Sequence, residues 1–322
     1  MDLESLNAAA RAFQESRAIL TGMELDVFTA LGEGQDARQT AARVGADARA
    51  VEMLLNALVA CGLLTKQDGV FRNTPVAAQH LAGPARMAWM HTVHLWQSWS
   101  GLTESVRKGT AAQHGGVETR GAEWTEAFIA AMHRNASERA PHVVQAIGTS
   151  GVRHFLDVGG GSGAYSIAFA QAAPALHADL LDLEPVTRIA GRHIAQAGLS
   201  GRVRTRVGDL RQGPLGENYD VVFVSAICHM LGEDENRDLI RRCREACAAG
   251  GRVVIQDFIL TPDKTAPRHA ALFALNMLVG TAGGSSYSAR EYEEWMRAAG
   301  LRDVRHVPMT GPADLMIGTA GS

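Results

Sequence analysis

Three aspartates spaced through the middle of this 322-residue chain, Asp157, Asp182 and Asp209, stand where a ligand could meet them. Asp157 directly precedes a glycine turn, 158–163, read VGGGSG. Such a turn bends the backbone sharply and lets a ligand approach with no Cβ in the way. The pattern G-x-G-x-x-A through Ala164 also fits a dinucleotide pyrophosphate, with Asp182 about 20 residues further on, as a nicotinamide-dependent oxidoreductase would require. Phosphates, however, favour helix N-termini and backbone N–H groups, and an acid ahead of the glycines gives a pyrophosphate no help. A cationic α-amino group would welcome it. Asp182 is placed for a ribose diol, and Asp209, next to Gly208, could accept from an exocyclic adenine amine. Amino acid, ribose and adenine together describe S-adenosylmethionine.

The elements that must hold these residues alternate between strand and helix from about residue 151, which predicts a mostly parallel sheet. Apolar Phe155, Leu156 and Val158 form the first strand, and Ala164 to Ala172 the helix after the glycines, stopped by Pro174. Further strands are expected at Ala178 to Leu183, Val203 to Val207, Tyr219 to Val224 and Val253 to Ile255. Pro185 opens a helix that Gly198 closes. The helix through Leu239 and Ile240 is expected to end at Gly250-Gly251. Polar residues then stand just past the carboxyl end of every strand: Asp182, Asp209, the run Ser225 to Met230 with His229, and Gln256-Asp257. Open α/β sheets bind ligands there. Near the end, Ser288 and Glu291 make a capping box for a helix through Tyr292, Trp295 and Met296. Val304 to Pro308 and Leu315 to Ile317 follow as two strands joined too closely to be parallel. A terminal antiparallel hairpin is unlike the usual all-parallel dinucleotide-binding domain.

Residues 1–83 predict a helical unit with a small hairpin. Asp36 with Gln39 resembles a capping box, Asp47 caps the next helix, and Gln67-Asp68-Gly69 turns a two-stranded wing. Helix, turn, helix and wing make a winged-helix layout. Its second helix offers Arg49 and Asn56 toward base edges and its wing adds Lys66 and Arg72, too few cations for duplex recognition. The apolar faces suit subunit packing. Residues 84–150 are helical and rich in aromatic, histidine and methionine side chains, with the most loop-like stretch at 107–120. Trp96, Phe128, Met132 and His133 there, with Met277 later, are candidates to face a flat organic substrate, with interdomain core as the plain alternative.

The motifs as a set resemble the S-adenosylmethionine-dependent O-methyltransferases that include the plant caffeate and flavonoid enzymes and bacterial natural-product enzymes. The matching stretches are DVGGGSG at 157–163, LLDLEP at 180–185, VGDL at 207–210, SAICHML at 225–231 and, more loosely, GGSSYSAREYEEWMRAAGL at 283–301. The resemblance implies an α/β fold, a Rossmann-like sheet with a terminal antiparallel hairpin, preceded by a winged-helix dimerisation domain. It implies boundaries of 1–100 for that domain, 101–150 for a helical connector and 151–322 for the cofactor-binding domain. Asp157, Gly159, Gly160 and Gly161 would line the methionine portion of the cofactor, Asp182 the ribose, Gly208 and Asp209 the adenine. Ser225 stands where plant members have a lysine that contacts the cofactor. His229 matches the family's general base and Asp257 the acid that orients it. A phenol of pKa ~10 must shed its proton as it attacks a methyl group, and a histidine titrating near neutrality can take it. Family members often carry a second glutamate after the paired glycines; here Gly283-Gly284 lead to Ser285 and Ser286. The expected product is S-adenosylhomocysteine, the partners a small-molecule acceptor and a second copy of the chain.

Composition narrows the field further. A net charge of −3 gives no general attraction to nucleic acid or an anionic membrane. No apolar run nears the roughly 20 residues of a membrane span, and the first residues lack the basic-then-apolar layout of a secretion signal. Cys243 and Cys247, four apart on an expected helix, read as core, and His91 with His94 lacks a third ligand, so no metal is expected. A reducing cytoplasm fits these cysteines. The alternatives are a family member with a role other than O-methylation, the oxidoreductase, and a cofactor-sensing DNA regulator.

Overall fold

In the computed structural model, which describes residues 1–112 and 122–321, the chain forms two compact units. The first comprises residues 1–97 and 126–131, the second 98–125 and 132–322. The N-terminal unit runs α1 (Leu3–Arg11), α2 (Phe13–Glu24), α3 (Val27–Leu31), α4 (Ala37–Val44), α5 (Ala48–Ala60), the hairpin β1 (Leu64–Gln67) and β2 (Val70–Asn73), α6 (Pro75–His80) and α7 (Met87–Ser100). Asp36 and Gln39 do form a capping box on α4, and the Asp47 side chain accepts from Ala50 N–H on α5. Asp68 and Gly69 both take positive φ, as a tight two-residue hairpin turn demands. Leu20, Phe28, Leu31, Leu55, Leu58 and Phe71 make the core of this unit. Helix α1, by contrast, buries none of its residues.

The second unit begins with the end of α7, α8 (Leu102–Lys108) and most of α9 (Ala122–Ile147). The expected loop at 107–120 is helical as far as Lys108, and 113–120 lies outside the described residues. Then come β3 (His154–Val158), α10 (Ala164–Ala172), β4 (His177–Asp182), α11 (Glu184–Gln196), β5 (Val203–Val207), β6 (Tyr219–Ser225), α12 (Glu233–Ala246), β7 (Cys247–Asp257), α13 (Arg268–Gly280), α14 (Ala289–Ala298), β8 (Leu301–Val307) and β9 (Asp314–Ala320). The sheet order is β5-β4-β3-β6-β7-β9-β8. Strands β3 to β7 are parallel, whereas β9 pairs antiparallel with both β7 and β8. The chain builds outward from β3 through β4 to β5, then crosses to β6 on the other flank of β3. That reversal opens a crevice beyond the carboxyl ends of β3 and β6.

Alternation along the strands assigns the two faces. Leu156, Val158, Val222, Val224, Val253 and Ile255 face α12 and α14. Phe155, Val221, Phe223, Val254, Leu315 and Ile317 face α9, α10 and α11. Period two thus puts Asp157 on the α10 side, where Ser166 waits.

Two expectations need correction. Helix α12 stops at Ala246 and β7 starts at Cys247, earlier than the Gly250-Gly251 pair suggested. A Cβ on Gly251 would lie 2.7 Å from the Tyr219 carbonyl oxygen, so this pair packs a strand against its neighbour. Cys243 and Cys247 therefore share no helix; both are buried thiols. Helix α13, whose apolar residues show no clear stripe, escaped the sequence reading.

Candidate functional site

The glycine turn after β3 is fastened to the end of β4. Gly159 N–H and Gly160 N–H donate to the Leu181 carbonyl at 2.8 and 3.3 Å. Gly161 N–H donates to Asp182 Oδ2 at 2.8 Å, and Leu183 N–H to Asp182 Oδ1 at 2.7 Å. Asp182 therefore ties strand end to turn, and each carboxylate oxygen keeps a lone pair for a further donor. Burial pushes its carboxyl up, and the two backbone donors oppose that. Gly208 N–H donates to the Asp182 carbonyl at 3.0 Å, which brings the end of β5 alongside, while Asp209 Oδ1 accepts from Arg211 N–H at 2.9 Å.

Side chains are excluded from this turn by close packing. A Cβ on Gly159 would lie 2.5 Å from Ile227 Cδ1, and one on Gly160 2.6 Å from Leu180 Cγ and 2.8 Å from Asp157 Cγ. Asp157 is 1 % exposed. Its Oδ2 accepts from Ser166 Oγ at 2.7 Å, while its Oδ1 is buried with no hydrogen-bond partner. Burial pushes its carboxyl up to about 7, opposed by the Ser166 hydroxyl and reinforced by the charge of Asp182. An orphaned carboxylate oxygen under a bare glycine cradle fits the cationic amino acid end of S-adenosylmethionine better than a pyrophosphate.

On the other flank, Ala226 leaves β6 at φ 56, a left-handed conformation that redirects the chain into a 3-10 turn, Cys228–Met230. Asn236 Nδ2 of α12 donates to the Cys228 and Leu231 carbonyls, and Tyr287 Oη to that of Leu231 at 2.5 Å. Ser285 N–H donates to the His229 carbonyl at 2.9 Å. The close approach needs Gly284, where a Cβ would lie 2.3 Å from that same oxygen. His229, held this way, is 6 % exposed.

Asp257 ends β7 and is 2 % exposed. Its Oδ1 is 2.6 Å from His229 Nδ1 and accepts from Phe258 N–H at 2.8 Å. Its Oδ2 accepts from His229 N–H at 3.0 Å and from Tyr292 Oη at 3.1 Å. An ionised carboxylate accepts and never donates, so beside it Nδ1 carries a proton, and in the neutral imidazole Nε2 then holds the lone pair. Phe273 of α13 meets the imidazole edge-on at 4.8 Å between centroids, and Phe258 lies 5.8 Å away. Along the same face of α13, Asn276 Oδ1 accepts from Trp99 Nε1 at 2.8 Å, and Met277 is buried.

The structure brings His229 and Asp257 into contact and gathers Asp157, Gly159, Gly160, Gly161, Asp182 and Gly208 around one turn. Ser225 Oγ donates to Gln256 Oε1 at 2.9 Å, linking the ends of β6 and β7. His133 stands against the glycine turn, its Nδ1 2.9 Å from Ser162 Oγ and its ring stacked on His193 at 4.1 Å. Met132, beside it on α9, is half-buried. Trp96 and Phe128 belong to the N-terminal unit, Trp96 under the Arg17 guanidinium at 5.4 Å and Phe128 edge-on to His91 at 5.1 Å. Phe258, Phe273 and Asn276 were not singled out from sequence, and Tyr292 was read only as part of the face of its helix. Phe258 adjoins Asp257 and could have been suspected, but nothing in an apolar helix marks which face meets a histidine. Among the described residues no three metal-binding side chains group together, and no helix is long and apolar enough to cross a membrane.

Comparison with known proteins accords with this geometry. A family model described as an O-methyltransferase domain matches residues 99–302, and one described as an O-methyltransferase dimerisation domain matches 8–83. The chain is 34% identical to 3-hydroxy-5-methyl-1-naphthoate 3-O-methyltransferase of Streptomyces sahachiroi, over 95% of this chain and 92% of that protein. The structure of PigF with SAH superposes with a TM-score of 0.90 at 26% identity, covering 99% of this chain and all of that one. NcsB1, an O-methyltransferase from neocarzinostatin biosynthesis in complex with S-adenosylmethionine and 2-hydroxy-5-methyl naphthoic acid, gives 0.81 at 25% identity, with 94% and 95% covered.

Proposed function

The chain belongs to the S-adenosylmethionine-dependent O-methyltransferase family, and from that premise we propose that it methylates a hydroxyl of a small aromatic or polyketide-like acceptor, with His229 as general base. The observation that carries this reading is the buried pair of His229 Nδ1 and Asp257 Oδ1 at 2.6 Å, which leaves Nε2 as the proton-accepting nitrogen.

S-adenosylmethionine supplies the methyl group on an electrophilic sulfonium. Asp157, the glycines 159 to 161 and Asp182 would hold its amino acid and ribose portions, and Gly208 with Asp209 the adenine. As the acceptor oxygen bonds the methyl carbon and the carbon–sulfur bond breaks to leave S-adenosylhomocysteine, the acceptor O–H proton passes to His229 Nε2. Asp257 fixes the tautomer and balances the imidazolium that forms. Such a base contributes typically about 10²–10⁴-fold, and alignment of the two reactants much of the rest. Phe258, Phe273 and Met277 give the acceptor apolar walls, and the hydroxynaphthoate chemistry of the relatives suits them. The match of residues 8–83 to the dimerisation domain and the unburied α1 support a homodimer.

The test is His229→Ala, assayed with a hydroxynaphthoate panel and titrated with S-adenosylhomocysteine. Turnover should fall at least about 100-fold, with cofactor affinity within twofold of wild type. Unchanged turnover would end the base assignment.

A further inference from the structure

Asp257 has room for four donors, and four are present. Each carboxylate oxygen offers about two lone-pair sites. The His229 ring and Phe258 N–H fill those of Oδ1, and His229 N–H and Tyr292 Oη fill those of Oδ2. Three of these donors belong to His229 itself or to the residue next to Asp257. Tyr292 alone among the four belongs to neither, reaching in from α14, and it is 1 % exposed.

The Tyr292 ring is aimed by its surroundings. The Ser288–Glu291 capping box fixes the start of α14, and Tyr292 N–H donates to the Ser288 carbonyl at 3.2 Å. Trp295 stands edge-on to the ring at 5.4 Å and Tyr287 at 6.1 Å. Ser286, which follows the paired glycines, turns its hydroxyl to the Ala270 carbonyl at 3.0 Å. The second anchor of the pair therefore comes from a helix rather than from that loop.

We infer that Tyr292 is a positioning residue of the His229–Asp257 pair, its hydroxyl fixing the Asp257 carboxylate. This rests on His229 being the base. Tyr292 transfers no proton: burial, then the charge of Asp257, push its phenol well above the ordinary tyrosine value. Two further titratable groups pack there: the Cys228 thiol is likewise pushed up by burial and by Asp257, and burial pushes the Tyr287 phenol up to about 12. Neutral groups thus surround one carboxylate. Removing the hydroxyl leaves Oδ2 with a single donor, lets the carboxylate rock about its bond to Cβ, and concentrates its charge on Nδ1–H. A buried tyrosine that merely found a convenient acceptor would cost stability when trimmed and change nothing at the imidazole.

The experiment compares wild type, Tyr292→Phe and His229→Ala, each loaded with S-adenosylhomocysteine and labelled with ¹⁵N-histidine. Phenylalanine keeps the ring and its packing, and the cofactor titration checks the fold. The Nδ1 proton resonance of His229, identified by its loss in His229→Ala, should move downfield in Tyr292→Phe. Placing 3-fluorotyrosine at 292, a stronger donor, should move it the opposite way and serves should the phenylalanine variant fold poorly. This arm needs no acceptor. With a methylated hydroxynaphthoate product as readout, Tyr292→Phe should lose about tenfold in kcat, equivalent to about 1.4 kcal/mol, with KM unchanged. An unmoved resonance in both variants overturns the inference. An inactive His229→Ala beside a fully active Tyr292→Phe overturns it while sparing the base reading. A fully active His229→Ala overturns both.

Discussion

Asp157 is an aspartate that water does not reach, with one oxygen held by Ser166 and the other facing no donor. Its carboxyl sits at about 7 against an ordinary 3.8, chiefly through burial. A carboxyl raised on folding binds its proton more tightly in the native state than in the unfolded one. Stability from this group is therefore greatest at low pH, falls as pH rises from 3.8 toward about 7, and is level above that. The span corresponds to roughly 4 kcal/mol at 1.36 kcal/mol per pH unit. Asp157→Asn should remove most of this slope, making the cofactor-free protein more stable at pH 8, while weakening S-adenosylhomocysteine. Urea unfolding at pH 5.5 and 8 with and without that ligand checks both signs; a variant that gains stability and keeps full affinity would deny Asp157 any part in binding. The sequence made Asp157, Asp182 and His229 legible because each lies at or beyond the carboxyl end of a strand, where open α/β sheets meet their ligands. It did not reveal that Asp157 would be buried, nor that Tyr292 would reach Asp257 from a helix 35 residues later, since that contact depends on how α14 lies against the sheet.

Helices and strands with capping or turn chemistry could be read closely from sequence. Ala164–Ala172, the capping boxes at Asp36 and Ser288, and the antiparallel end of the sheet all appear where local rules put them. The boundary between α12 and β7 was missed because glycines marked a strand contact instead of a helix end. Glycines at two positions make the distinction testable. Gly284→Ala sets a Cβ 2.3 Å from the His229 carbonyl oxygen, so the 3-10 turn must shift; about 1–3 kcal/mol of stability should be lost along with most turnover. Gly191, within α11, has nothing within 4 Å of an added Cβ, and Gly191→Ala should instead stabilise by about 0.5–1 kcal/mol. Thermal unfolding of the two variants side by side decides it; equal effects would mean the close contact at Gly284 is relieved at no cost.

At the scale of the whole molecule, a catalytic sheet and a helical unit share one chain, with α9 contributing to both. Leu3, Leu6 and Phe13 are 72%, 53% and 55% exposed, an arrangement that costs hydration free energy unless something covers them. A second copy is the expected cover. Light scattering should give about twice the 34.3 kDa chain mass, and Leu6→Glu with Phe13→Glu should halve it. A monomer in the wild type at micromolar concentration would refute the dimer. The winged-helix layout was plain from sequence, but its use was not: scarcity of cations argued against DNA, and the choice of subunit packing came from apolar faces and family resemblance together.

Gly284 and Gly251 also constrain the gene. A glycine codon is fixed by its first two bases, and every single-base missense change in it appends a side chain. At these two positions that side chain would meet a backbone oxygen, of His229 in one case and Tyr219 in the other. Drift there should be confined to the silent third base. In a library of random point mutants, the codon for Gly284 should tolerate as little replacement as that of the histidine it supports.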